Sequence, residues 1–128
     1  MATIQIPANA RVFVLDDTVE RLYWFRKQFK GKVAAYREAT TADRAIEILS
    51  DETFDVVFLD HDLHWMDAAE PQRQHGNGKE VARFLAIRHF AGKVVIHSHA
   101  DAAAAMQKIL PQADRCRFDS LDITVQPA

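Results

Sequence analysis

The residues able to do chemistry gather at three places in this chain: Asp16-Asp17, the string Asp60-His61-Asp62-Leu63-His64, and His97-Ser98-His99. Carboxylates brought into one cleft repel one another, and a bound divalent cation is the simplest way to keep several of them ionised. Oxygen ligands that leave waters free to meet phosphate suit Mg²⁺, whereas added imidazoles favour Mn²⁺, Fe²⁺ or Zn²⁺. A histidine, with an ordinary pKa of about 6.5, gives or takes a proton near neutral pH, as attack on phosphorus or departure of an alkoxide requires. The hydroxyl of Ser98 can donate to a phosphate oxygen. These are components of metal-assisted phosphoryl chemistry, with Asp60, His61, His97 and Ser98 as the candidate catalytic groups.

Each cluster directly follows a short apolar run. Arg11 to Leu15 is β-branched and aromatic and reads as a first strand with an acidic end. Val56 to Leu59 reads as a strand buried on both faces, and Lys93 to Ile96 as another. Val33 to Tyr36 and Arg115 to Phe118 are weaker strands. Between them lie helical periodicities. Leu22, Phe25 and Phe29, flanked by Val19 and Arg26, place a helix over Thr18 to Phe29, capped at Asp17 or Thr18 and closed by Gly31. Ala42, Ala45, Ile46 and Leu49 form the stripe of a second helix started by Thr40 or Thr41. Lys79 to Phe90, ended by Gly92, and Ala102 to Leu110, stopped by Pro111, are the third and fourth. A polar stretch without periodicity, Trp65 to Asn77, reads as a long loop. The N-terminal residues read as a polar lead, and Asp119 to Ala128 as too short and polar for a fifth helix.

Alternating strands and helices imply right-handed βαβ units and a parallel sheet covered on both faces. The expected architecture is a flavodoxin-like, doubly wound α/β domain of five strands in the order 2-1-3-4-5, spanning residues 1–128 as one domain, with the fifth helix short or absent. That order makes the first, third and fourth strands neighbours. Their carboxyl ends then bring Asp16, Asp17, Asp60, His61, His97 and Ser98 to the switch point where such sheets bind ligands.

Composition removes other classes. At 128 residues and 48% hydrophobic content the chain can bury a core of its own, and a net charge of -2 offers no basic footprint for duplex nucleic acid. One cysteine, Cys116, allows neither an internal disulfide nor a multi-thiolate zinc site. Met1 to Ala10 has no basic segment followed by an apolar one, and no apolar run approaches the ~20 residues of a membrane span. A soluble cytoplasmic protein with a small phosphorylated ligand and no membrane partner is expected; a homodimer is compatible with these features.

Asp16-Asp17, Asp60 and Ser98, each after a strand, resemble the response-regulator receiver fold, in which an acidic pair and a phosphoacceptor aspartate bind Mg²⁺. That pattern has a lysine at the end of its fifth strand, where this chain has Arg115-Cys116-Arg117-Phe118. A narrower resemblance rests on Leu15-Asp16-Asp17, Leu59-Asp60-His61-Asp62-Leu63, Asn77-Gly78 and His97-Ser98 with Met106 downstream. These strings are similar to the cyclic-phosphate processing receiver domain, a receiver variant expected to process cyclic phosphates rather than relay a phosphoryl group. Two departures are Ala100, where that family usually has Asn, and Arg21 without the proline that commonly accompanies arginine after the first motif. The resemblance implies Asp16, Asp17 and Asp60 as metal ligands, with Mg²⁺ or Mn²⁺ favoured over Zn²⁺. It gives His61 and His97 acid/base or ligand roles, and Ser98 the orientation of phosphate. Three functions follow as expectations: a metal-dependent phosphodiesterase opening a cyclic nucleotide or 2′,3′-cyclic phosphate end, a stand-alone receiver phosphorylated on Asp60, or a module that sequesters a cyclic-phosphate ligand.

Overall fold

A computed structural model describes residues 2–60, 78–97 and 100–127. Its elements are β1 (Ala2–Pro7), β2 (Arg11–Leu15), α1 (Val19–Phe29), β3 (Ala35–Ala39), α2 (Ala42–Asp51), β4 (Val56–Leu59), α3 (Gly78–Ile87), β5 (Lys93–Ile96), α4 (Ala100–Ile109), β6 (Asp114–Arg115), a 3-10 turn at Phe118–Ser120, and β7 (Leu121–Gln126). The main sheet is five-stranded and parallel, in the order β3-β2-β4-β5-β6. Counted without β1, this is the expected 2-1-3-4-5 order.

Strand alternation splits the core between the two faces of the sheet. Phe13, Leu15, Val57, Leu59 and Ile96 pack with Ala45, Ile48, Val81, Leu85 and Met106 from α2, α3 and α4. Val12, Val14, Phe58 and Val95 pack on the other side with Leu22, Phe25 and Phe29 of α1. That second face is completed by β1 and β7, which pair parallel to one another and contribute Ile4, Ile6, Leu121 and Ile123. The N-terminal residues are therefore a strand rather than a polar lead, and the C-terminal segment, read only as too short and polar for a fifth helix, forms a strand. Neither strand is stable alone; together they bury one face against α1. Among the described residues no helix occupies the fifth position, as expected, and no helix is long and apolar enough to cross a membrane.

Several boundaries move for identifiable reasons. Gly31 turns α1 with φ 76°, and the N–H groups of Lys32 and Val33 bond back to Phe29 O, so β3 begins at Ala35 rather than Val33. Helix α3 ends at Ile87, before Gly92: His89 takes the left-handed conformation at φ 53°, donates to Ala86 O, and Phe90 N–H donates to Leu85 O. This is a Schellman closure with histidine in the usual glycine place. Gly92 instead allows close approach, since an added Cβ would stand 2.5 Å from Asp55 O. Helix α4 starts at Ala100, two residues early, and β6 spans only Asp114–Arg115, with Cys116 N–H adding one more bond to Ile96 O. Val19, expected at the flank of the apolar stripe of α1, is 73% exposed. Thr41 caps α2 as expected, its hydroxyl accepting from Arg44 N–H.

Candidate functional site

Register alone aligns the reactive residues. Leu15 pairs with Leu59 and Leu59 with Ile96, so the next residue of each strand, Asp16, Asp60 and His97, stands in one row at the carboxyl edge. The hydrogen-bond ladder runs one step past the strands: Asp16 N–H donates to Ala39 O, Asp60 N–H to Leu15 O and His97 N–H to Leu59 O. The three backbones are thereby fixed before any side chain is placed. Asp16 is fully buried, Asp60 is 3% exposed and His97 1%.

Carboxylate oxygens of Asp16, Asp17 and Asp60 lie within 4.8 Å of one another. Asp16 is the most constrained: its Oδ1 accepts from the N–H of Thr18, the residue that caps α1, and its Oδ2 lies 2.9 Å from His97 Nε2. The Thr18 side chain makes no capping bond, so Asp16 supplies the acceptor at the start of this helix. An ionised carboxylate only accepts, so His97 Nε2 donates in this bond. Nδ1 is left buried without a hydrogen-bond partner among the described residues, in an aromatic surround of Phe25 at 5.3 Å and Phe118 at 6.2 Å between ring centres. His97 thus sits behind Asp16 and holds it, the geometry of an outer-shell histidine.

The set fits a hard divalent ion. Three carboxylates converge with an oxygen of each within 4.8 Å of the others, an all-oxygen donor set of the kind a hard divalent ion takes. Arg21, in the first turn of α1, reaches the same place, with Nη1 3.8 Å from Asp16 Oδ2 and 4.0 Å from Asp60 Oδ2. Its guanidinium lies over the ring of Phe118, 4.8 Å from the centre. Arg21, named in the sequence only as the remnant of the family's arginine-proline region, therefore stands at the site, and Phe118 beneath it is the site residue that no motif marked. His61, Ser98, Asp62, His64 and the stretch from Trp65 to Asn77 lie outside the described residues.

A five-stranded parallel sheet wound on both faces, with an aspartate cluster at its carboxyl edge, defines a receiver domain of the response-regulator type. The Francisella response regulator 1452 receiver domain is similar, at 16% identity and TM-score 0.61, over 91% of this chain and 84% of that one. So is NtrX from Brucella abortus, at 21% identity and TM-score 0.65, covering 94% of this chain but only 25% of NtrX. Within that fold the chain belongs to the cyclic-phosphate processing receiver domain family, which matches residues 11–112. No curated protein matches it. Receiver domains bind Mg²⁺ at an acidic aspartate cluster, and such a cluster is present here.

Proposed function

We propose that the protein is a metal-dependent phosphodiesterase that opens a cyclic phosphate, either a cyclic nucleotide or a 2′,3′-cyclic phosphate end. The observation that carries this reading is the convergence of Asp16, Asp17 and Asp60 oxygens within 4.8 Å at the carboxyl edge of a chain in this family. These three residues would hold the ion, Mg²⁺ or Mn²⁺ in preference to Zn²⁺ because the oxygen-only set is hard. Bound there, it would supply Lewis-acid stabilisation of the phosphoryl oxygens. His97 keeps Asp16 in one orientation through the Nε2 bond, which fixes one side of the ligand set. Arg21 brings positive charge to the mouth of the cluster. In the reaction water attacks phosphorus, one ring P–O bond breaks, and the departing ribose oxygen takes up a proton. By the family resemblance that proton would come from His61 or His97, and Ser98 would orient the phosphate.

The test is a turnover screen over cyclic mononucleotides, cyclic dinucleotides and RNA 2′,3′-cyclic ends with Mg²⁺, Mn²⁺ and Zn²⁺, beside Asp60→Asn. Hydrolysis lost in the variant supports the reading; no turnover with any metal overturns it.

A second reading, a stand-alone receiver, is favoured by the position of Asp60 itself, directly after β4 and inside the cluster. Its carboxylate oxygen would attack the phosphorus of an acyl phosphate, forming a mixed anhydride and releasing the carboxylate of the donor. Incubation with acetyl phosphate followed by intact-mass measurement decides it: an unchanged mass removes phosphoacceptor function.

A further inference from the structure

Asp16 and Asp60 share a cation that belongs to the chain itself. At 3.8 and 4.0 Å, Arg21 Nη1 is nearly equidistant from the two carboxylates and too far from either for a hydrogen bond. The carboxylates are enclosed, whereas the Arg21 side chain is 32% exposed, so the guanidinium approaches the pair from the solvent side. Its support is the ring of Phe118, a face that attracts a cation while leaving its N–H donors unused. Arg117, just past β6, does not compete for this place: it is 73% exposed and turns to Asp119 at 3.6 Å.

We propose that Arg21 is the resident counter-ion of the acidic cluster, displaced outward by a divalent metal and then engaging an oxyanion of the phosphorylated ligand, so that metal and phosphate bind cooperatively. This rests on the metal-site reading given above. A divalent ion on the Asp16, Asp17 and Asp60 oxygens would stand within a few ångströms of the guanidinium, and like charges at that range in a buried setting repel strongly. Arg21 can withdraw on its long stem toward solvent. There its planar fork matches two oxygens of a phosphate. Whatever the guanidinium subtracts from metal affinity, a phosphate that draws it away restores, and linkage makes the effect mutual.

The experiment is calorimetric titration of the full chain with Mg²⁺, with and without inorganic phosphate, for the wild type, Arg21→Gln and Arg21→Lys, each checked for folding by circular dichroism. Arg21→Gln is expected to bind Mg²⁺ about tenfold more tightly than the wild type, within the usual range of such couplings. Arg21→Lys, which keeps the charge, stays near the wild type. Phosphate tightens Mg²⁺ in the wild type and leaves Arg21→Gln unchanged. Equal Mg²⁺ affinity in the wild type and Arg21→Gln would overturn the proposal while leaving the metal site standing. Tighter Mg²⁺ with an undiminished phosphate effect in Arg21→Gln overturns the cooperative step. No Mg²⁺ binding by any of the three proteins overturns both the proposal and the metal site beneath it.

Discussion

The two ends of the main sheet both gather carboxylates and arginines, and they treat them differently. At the amino edge the charges are closed off. Arg11 Nη2 lies 3.2 Å from Glu52 Oε1, its Nε donates to Thr53 O at 2.7 Å, and its backbone N–H donates to Asp55 at 2.8 Å. Arg37 completes Glu52 by pairing with its other oxygen. At the carboxyl edge the charges are enclosed but not saturated by their arginine: Arg21 hovers about 4 Å from two carboxylates without bonding either. Hydrogen-bonded ion pairs hold elements together, whereas carboxylates gathered within reach of one another, with their arginine held off, form a place for a ligand. The same residue types therefore build structure at one end and a site at the other.

That contrast can be broken most forcefully at Asp60. Asp60→Asn removes one of three converging anionic ligands, and Mg²⁺ affinity by calorimetry should fall more than about a hundredfold, beyond the range typical of outer-shell partners. His97→Ala takes away the group behind Asp16; an affinity loss of about 10–100-fold is expected in the same titration, with the fold retained by circular dichroism. At the opposite edge, Arg11→Met should cost about 1–2 kcal/mol in urea denaturation by taking from Glu52 one of its two arginines and from Thr53 O its donor. It should leave the Mg²⁺ titration unchanged; altered metal affinity there would erase the distinction between the ends. The smallest effect concerns Cys116, just past β6, where burial, with Asp114 adding to it, pushes the thiol above its ordinary pKa. A raised pKa means less thiolate at pH 8, so iodoacetamide should modify the folded protein about threefold more slowly than the urea-unfolded chain, the gap narrowing as pH rises.

Most of the main sheet was legible because its strands are short apolar runs with a sharp polar end, and the order followed from connection rules. The cluster was legible for the same reason, since residues placed one step past neighbouring strands must meet. The β1–β7 pair was missed although Ile4 and Ile6, and Leu121, Ile123 and Val125, alternate with polar residues at strand period. Each segment is weak alone, and only their mutual pairing across the length of the chain makes either a strand. His89 was passed over as a helix stop because a glycine stood nearby; a left-handed residue other than glycine leaves little trace in sequence. That His97 stands beside Asp16 was legible from its position after β5, but its burial behind that residue depends on the aromatic packing of Phe25 and Phe118, contacts that no local pattern encodes. Arg21 was visible as the arginine that follows the first motif, but its place beside Asp16 and Asp60 was not, because a charged residue on a helix flank is ordinarily a solvated one.

The most direct test of the central claim is phosphorus NMR of the wild-type protein with Mg²⁺ and a 2′,3′-cyclic nucleotide, followed over time. The ring-phosphate resonance is expected to decay into a phosphomonoester resonance, and Asp60→Asn to abolish the conversion. A cyclic-phosphate resonance that broadens or shifts on binding yet persists without any monoester would contradict it and make the protein a sequestering module.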